Sequence, residues 1–227
     1  MPYKSIVISS GHAKHVQGAV GILNEVDEAR RVTEQVATEL RNRGVEVKTF
    51  HDDTSHDQST NLSTIVAFHN KQKRELDVSV HFNAYIETDK GMGTECLYVS
   101  QQQLASQIAS GIASASGLIN RGAKKRTDLY FLNNTAEPAV LLEVCFVDST
   151  LDANTYNMAF DRICDSIADV LGGKEEGAPA PEPPTEVAPP EAVAATVDIQ
   201  IAITGNVQVT VNGEPVDVAG HGRAPTS

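Results

Sequence analysis

The 227 residues carry 18 basic and 30 acidic side chains, a formal net charge of -12, and no tryptophan. That balance excludes nucleic acid as the main partner, because phosphate backbones are met by Lys and Arg surfaces, and the lack of Trp excludes a carbohydrate module built on stacked indoles. No run of about 18 apolar residues occurs, so no membrane insertion is expected.

The opening Met-Pro-Tyr-Lys-Ser-Ile-Val lacks the apolar core and cleavage site of a signal peptide, so synthesis in a cytoplasm is expected. A short apolar strand, Ser5 to Ser9, runs into the turn Ser10-Gly11-His12. In α/β proteins the carboxyl ends of strands are where sites are built. His12 to Leu23, rich in Gly and small residues, reads as a loop. Asn24 then caps a helix predicted to reach Arg43, with Val26, Ala29, Val32, Val36 and Leu40 as its apolar stripe. At 100° per residue Glu25 shares the face of that stripe, whereas Asp27 and Glu28 rotate toward solvent.

Gly44 ends this helix, and Val45 to Phe50 alternates like a second strand. The loop His51 to Asp57 holds two histidines and three aspartates; it reads as a flexible polar segment rather than a metal site. Residues 58 to 74 read as a helix with His69 as a surface or packing residue. Leu76 to Val80 is a third strand, ending in His81-Phe82-Asn83-Ala84. Thr94 to Val99 is a strand, and residues 101 to 118 a helix. Arg121 to Asp128 is a basic loop, followed by an extended Leu129 to Leu132.

Ala139 to Val147 is an apolar run long enough for a buried strand, with Glu143 in its middle. A carboxylate there is costly unless paired or near a metal. A salt bridge or an edge position facing water would also account for it. Residues 150 to 171 close the domain as a helix. Cys96, Cys145 and Cys164 have no paired spacing and read as small buried hydrophobes.

From Lys174 to Thr196 the composition changes, and six of the ten prolines fall there, giving a semi-extended linker at 174-196. Residues 197-218 alternate around an Asn212-Gly213 turn, a β-hairpin signal. So small a sheet buries too little to stand alone, so it is expected to form a homo-oligomer with copies of itself or to bind something. Residues 219-227 read as a disordered tail. The expected fold class is α/β: a three-layer αβα domain over residues 1-173, with a mixed, mostly parallel central sheet, plus the small C-terminal β-hairpin module.

His12, His81 and Glu25 together make a two-imidazole, one-carboxylate set that suits catalytic zinc, with a fourth position left for water. Spacing alone does not decide this, since two strand-end histidines arise by chance and no H-E-x-x-H motif is present. However, Gly11-His12, the Gly-containing loop and Asn24-Glu25 resemble the N-terminal signature of zinc-dependent N-acetylmuramoyl-L-alanine amidases of the third amidase family. Val78 to Ala84 resembles that family's strand ending in His-x-Asn/Asp-Ala, and Asp128 to Leu132 with Pro138 to Asp148 resembles its C-terminal block. Ser9-Ser10 stands where Asp-Pro is frequent and Cys145 where Gly is frequent; neither change removes a ligand or the acid.

The resemblance implies Zn2+ held by His12, Glu25 and His81, with Glu143 as the catalytic base. It implies cleavage of the amide between N-acetylmuramic acid and L-alanine in bacterial peptidoglycan. Ser10, Asn83, Lys124 and Arg126 are candidate substrate-binding residues. Synthesis without a signal peptide, the linker and the small module suit a phage endolysin that reaches the cell wall through a holin-made hole, or a prophage-type autolysin. A zinc peptidase acting on wall stem peptides and a non-catalytic wall-binding protein are the alternatives.

Overall fold

The computed structural model describes residues 2–174 and the segments 209–211 and 214–216. The chain divides into two compact units, Met1–Pro181 and Glu182–Ser227. In the first, β1 (Ser5–Ser10), α1 (Glu25–Asn42), β2 (Glu46–Phe50), α2 (Gln58–Asn70) and β3 (Leu76–Asn83) alternate. There follow β4 (Thr94–Tyr98), α3 (Gln102–Ser116), β5 (Asn120–Lys125), α4 (Tyr130–Asn134), β6 (Ala139–Phe146) and α5 (Thr150–Gly172).

The six strands form one sheet in the order β2-β1-β3-β6-β4-β5. All neighbours are parallel except β4 and β6, which run antiparallel. Two cores sandwich this sheet. Val32, Val36 and Leu40 of α1, Ile108 and Ile112 of α3, and Ile163 and Ile167 of α5 cover one face together with Ile8, Val80 and Leu142. Ile65 and Val66 of α2 and Phe131 and Leu132 of α4 cover Leu97 and Leu141 on the other. This is the expected three-layer α/β arrangement with a mixed, mostly parallel sheet.

The main helix forms for the reasons its sequence gives. The Asn24 carboxamide accepts from Val26 N at 3.0 Å and Asp27 N at 3.5 Å, and Ala29, Val32, Val36 and Leu40 are fully buried. Each fully buried Val or Leu stabilises by about 1.5–3 kcal/mol. Arg43 at its end pairs with Glu39, Asp165 and Asp169, which ties α1 to α5. Glu28, expected to face solvent, instead accepts a 2.6 Å hydrogen bond from the Tyr156 hydroxyl of α5.

Three further expectations are corrected. The basic stretch after Arg121 is not a loop but the edge strand β5, whose outward polar residues hide its period. Leu129 to Leu132 is not extended. It leads into α4, where Asn133, Asn134 and Thr135 bond back to the carbonyls of Leu129, Tyr130 and Phe131. The loop His51 to Asp57 is fixed rather than flexible. The buried Asp52 accepts from Thr54 N, Ser55 N and Asn61 Nδ2, and Asp57 caps α2. Burial opposes charge on Asp52, but these hydrogen bonds outweigh it and hold its pKa at about 2.

His69 is fully buried, not a surface residue. Its Nδ1 lies 2.8 Å from Asp77 Oδ1 and its Nε2 2.9 Å from Ser9 Oγ. Arg74 closes the network with two bonds to Asp77, at 2.8 and 2.7 Å. The three cysteines are free and buried.

In the second unit, β7 (Val209–Val211) and β8 (Glu214–Val216) pair antiparallel, Val211 opposite Glu214. The expected turn at Asn212-Gly213 lies outside the described residues. The linker, the rest of the expected module and the tail lie outside the described residues.

Candidate active site

Two strand ends and one helix start converge at the carboxyl edge of the parallel strands. His12 follows β1 after Gly11, whose N–H donates to Val80 O at 2.9 Å. His81 lies near the end of β3. Glu25 is the first residue of α1 and is buried, as its helical phase requires.

The Glu25 carboxylate is the hub. Its Oε1 lies 2.9 Å from His81 Nδ1 and 3.3 Å from His12 Nε2, and it accepts from Phe82 N at 3.1 Å. Its Oε2 accepts from Ala19 N at 2.7 Å. Burial works against ionisation here, but the hydrogen bonds and charges of the two histidines outweigh it and hold Glu25 well below the usual carboxylate range.

Two glycines are required by this crowding. A Cβ on Gly11 would stand 1.8 Å from His81 Nε2, and one on Gly18 would stand 2.5 Å from Glu25 Oε2. The loop between His12 and Leu23 is rich in small residues because it wraps the three side chains closely.

One ligand atom from each of His12, Glu25 and His81 lies within 4.8 Å of the others, the one such group among the described residues. Two imidazoles with one carboxylate, leaving a position open, are a donor set that fits zinc. His12 Nδ1 is also buried without a partner among the described residues, where a ligand or further hydrogen bond is expected.

Glu143 stands one strand away, with its Cα in register with that of His81. Its Oε2 is sealed from solvent and has no hydrogen-bond partner among the described residues. Burial, then the charges of Glu25 and Glu95, push this carboxyl well above the usual range, against a weaker pull from Arg126. Glu25 is held down and Glu143 pushed up, so two carboxyls of one site diverge in proton affinity.

The candidate substrate residues divide. Ser10 is fully buried and its Oγ bonds His51 Nδ1 at 2.8 Å, which takes it out of substrate contact. Asn83 is half-buried and engaged: its Nδ2 donates to Glu95 Oε1 at 3.0 Å. Lys124 is exposed on β5, and Arg126 is exposed but forked onto Asp128 at 2.8 and 2.7 Å. Sequence reasoning missed Glu95 and Arg121. Glu95 lies directly across from Glu143 in the antiparallel pair, and Arg121 Nε donates to it at 2.8 Å. Alternation in Thr94 to Tyr98 marks a strand, but only the pairing of β4 with β6 reveals the neighbour.

Residues 6–172 match the Amidase_3 family, described as N-acetylmuramoyl-L-alanine amidase. An uncharacterized protein of Clostridium perfringens is 32% identical over 176 residues, covering 75% of this chain and 52% of that protein. The germination-specific N-acetylmuramoyl-L-alanine amidase of Bacillus subtilis is 27% identical over 166 residues, covering 66% of this chain and 70% of that protein. Among solved structures, the catalytic domain of the CD27L endolysin targeting Clostridia difficile superposes with a TM-score of 0.69 at 25% identity. The match covers 76% of this chain and 98% of that one. The chain spans about half the length of the two Clostridium perfringens relatives, 52% and 45%.

Proposed function

Because the chain belongs to the Amidase_3 family of N-acetylmuramoyl-L-alanine amidases, we propose that it hydrolyses bacterial peptidoglycan at the amide between N-acetylmuramic acid and L-alanine of the stem peptide. The observation that carries this reading is Glu143, its buried Oε2 without a hydrogen-bond partner among the described residues and its proton affinity raised, beside the cluster of His12, Glu25 and His81. Those three residues would hold the zinc ion, which when bound supplies Lewis-acid activation of water and of the scissile carbonyl. Glu25 and the two histidines orient one another through the shared Oε1.

Glu143 takes a proton from the attacking water. The new C–O bond forms, and the same proton passes from Glu143 to the departing nitrogen as the C–N bond breaks. The acyl side leaves as a lactyl carboxylate, and the stem peptide leaves with a free amine. Lys124 and Arg126, both exposed, offer charge to carboxylates of the peptide at the rim.

Replacing Glu143 by Gln removes the proton carrier and keeps the side-chain shape. Lysis of purified walls should fall by about 10²–10⁴-fold, with zinc content measured by atomic emission unchanged. Lysis at the wild-type rate would refute the role.

The likeness to an endolysin catalytic domain supports a lytic role for a phage-encoded chain made in a host cytoplasm and released through a holin-type hole. Expressed inside cells, the protein should lyse them only once the inner membrane is permeabilised. Lysis of cells with intact membranes would overturn that part.

A further inference from the structure

The metal-ligand candidate, the acid and the carboxylate that sequence reasoning missed form one straight row. His81 of β3 is in register with Glu143 of β6, Glu143 with Glu95 of β4, and Glu95 with Gly122 of β5. Registered residues on adjacent strands share a face. Their sequence neighbours Phe82, Val144 and Cys96 all point into the core under α1, α3 and α5. The row therefore faces the opposite side. Four strands at about 4.8 Å spacing give it a length of about 14 Å. At its far end Gly122 contributes no side chain, and the space where a Cβ would stand is open.

Glu95 is built into this floor. Its Oε1 accepts from Asn83 Nδ2 at 3.0 Å and its Oε2 from Arg121 Nε at 2.8 Å. Arg121 is itself fixed by a bond to Met92 O at 3.3 Å and by its guanidinium carbon lying 5.0 Å from the Phe146 ring centroid. A carboxylate offers about four acceptor sites, so two remain on Glu95, whose side chain is 12% exposed. Glu95 lies one strand beyond Glu143, on the side away from His81.

We propose that Glu95 receives the leaving amine and that the departing stem peptide runs along this row over β4 and β5 toward Gly122. This rests on the amidase reading above. The acyl oxygen belongs with the metal-ligand cluster, so the nitrogen bonded to the acyl carbon points away from it, over Glu143 and toward Glu95. Cleavage consumes one water and breaks one C–N bond. Glu143 returns its proton to the nitrogen, the new carboxylic acid yields its own proton to the resulting amine, and the products are a carboxylate and an ammonium. The ammonium then lies against the Glu95 carboxylate, which the intact, neutral amide does not attract in the same way.

The probe is a stem tripeptide beginning with L-alanine, compared with its N-acetylated form, titrated calorimetrically into the zinc-loaded full chain. The wild type should bind the free amine tighter by about tenfold or more, the range of a hydrogen bond to a charged group. Glu95→Gln should lose that preference while melting like the wild type. Glu143→Gln should keep it. Equal affinity of the wild type for the two peptides, or a preference that survives Glu95→Gln, would overturn the proposal. Failure of the wild type to hydrolyse walls at all would instead count against the amidase reading.

Discussion

Glu25 and Glu143 are carboxylates of one site, and their surroundings drive them in opposite directions. Glu25 is answered by two imidazoles and two backbone N–H groups and stays ionised. Glu143 Oε2 has no hydrogen-bond partner among the described residues, and burial pushes its carboxyl well above the usual range. Three of these four key side chains were legible as residues out of place: an acid in an apolar run and two histidines at strand ends. Glu25 was legible from helical phase. Ser10 was misread because its position beside His12 says nothing of the inward turn that buries it. The tight fit of the loop gives a residue-scale test. Gly11→Ala would thrust a methyl into the His81 ring, so zinc affinity should fall by about 10–100-fold, as when an orienting partner is lost. Competition with a chelating dye measures it; unchanged affinity would contradict the site geometry.

At the scale of elements, α2 is joined to β3 and β1 by the buried His69, Asp77, Arg74 and Ser9 network. Removing Asp77 strands a buried guanidinium, so Asp77→Ala should cost about 3–5 kcal/mol in urea unfolding, and a loss within 1 kcal/mol would show that the network relaxes. The network also sets a pH dependence. Burial, opposed by Asp77 and helped by Arg74, lowers the His69 pKa from 6.5. The folded state therefore binds its proton less readily than the unfolded chain does. Stability from this group is present above the unfolded pKa and is lost as pH falls below about 6.5 toward the depressed folded value. The urea midpoint should drop on going from pH 7 to pH 5, and His69→Gln should flatten that drop; an equal slope in the variant would contradict the assignment. His69 looked ordinary in the sequence because its partners are 8 and 60 residues away. The edge strand β5 and the short α4 escaped for a related reason. An exposed edge lacks apolar alternation, and a five-residue helix is too short to show a period.

For the whole molecule, the order and type of the long elements were legible because their apolar periods are strong. The antiparallel placement of β4 beside β6 was not, because register and pairing are tertiary choices. That placement sets Glu95 beside Glu143 and so shapes the site. Every residue assigned a chemical role lies between His12 and Glu143, inside the first unit. A chain ending at Lys174 should therefore hydrolyse a soluble muropeptide as fast as the full chain, and loss of that activity would contradict an autonomous catalytic unit. Sizing and wall binding of the same truncation test the second unit as oligomeriser or anchor. None of the described helices is long and apolar enough to cross a membrane. The central claim is the bond that is cut. Digestion of purified peptidoglycan followed by mass spectrometry should release stem peptides beginning with a free L-alanine and leave glycan bearing the lactyl carboxylate. Fragments cut within the stem peptide, or between sugars with the peptide still attached, would contradict the account.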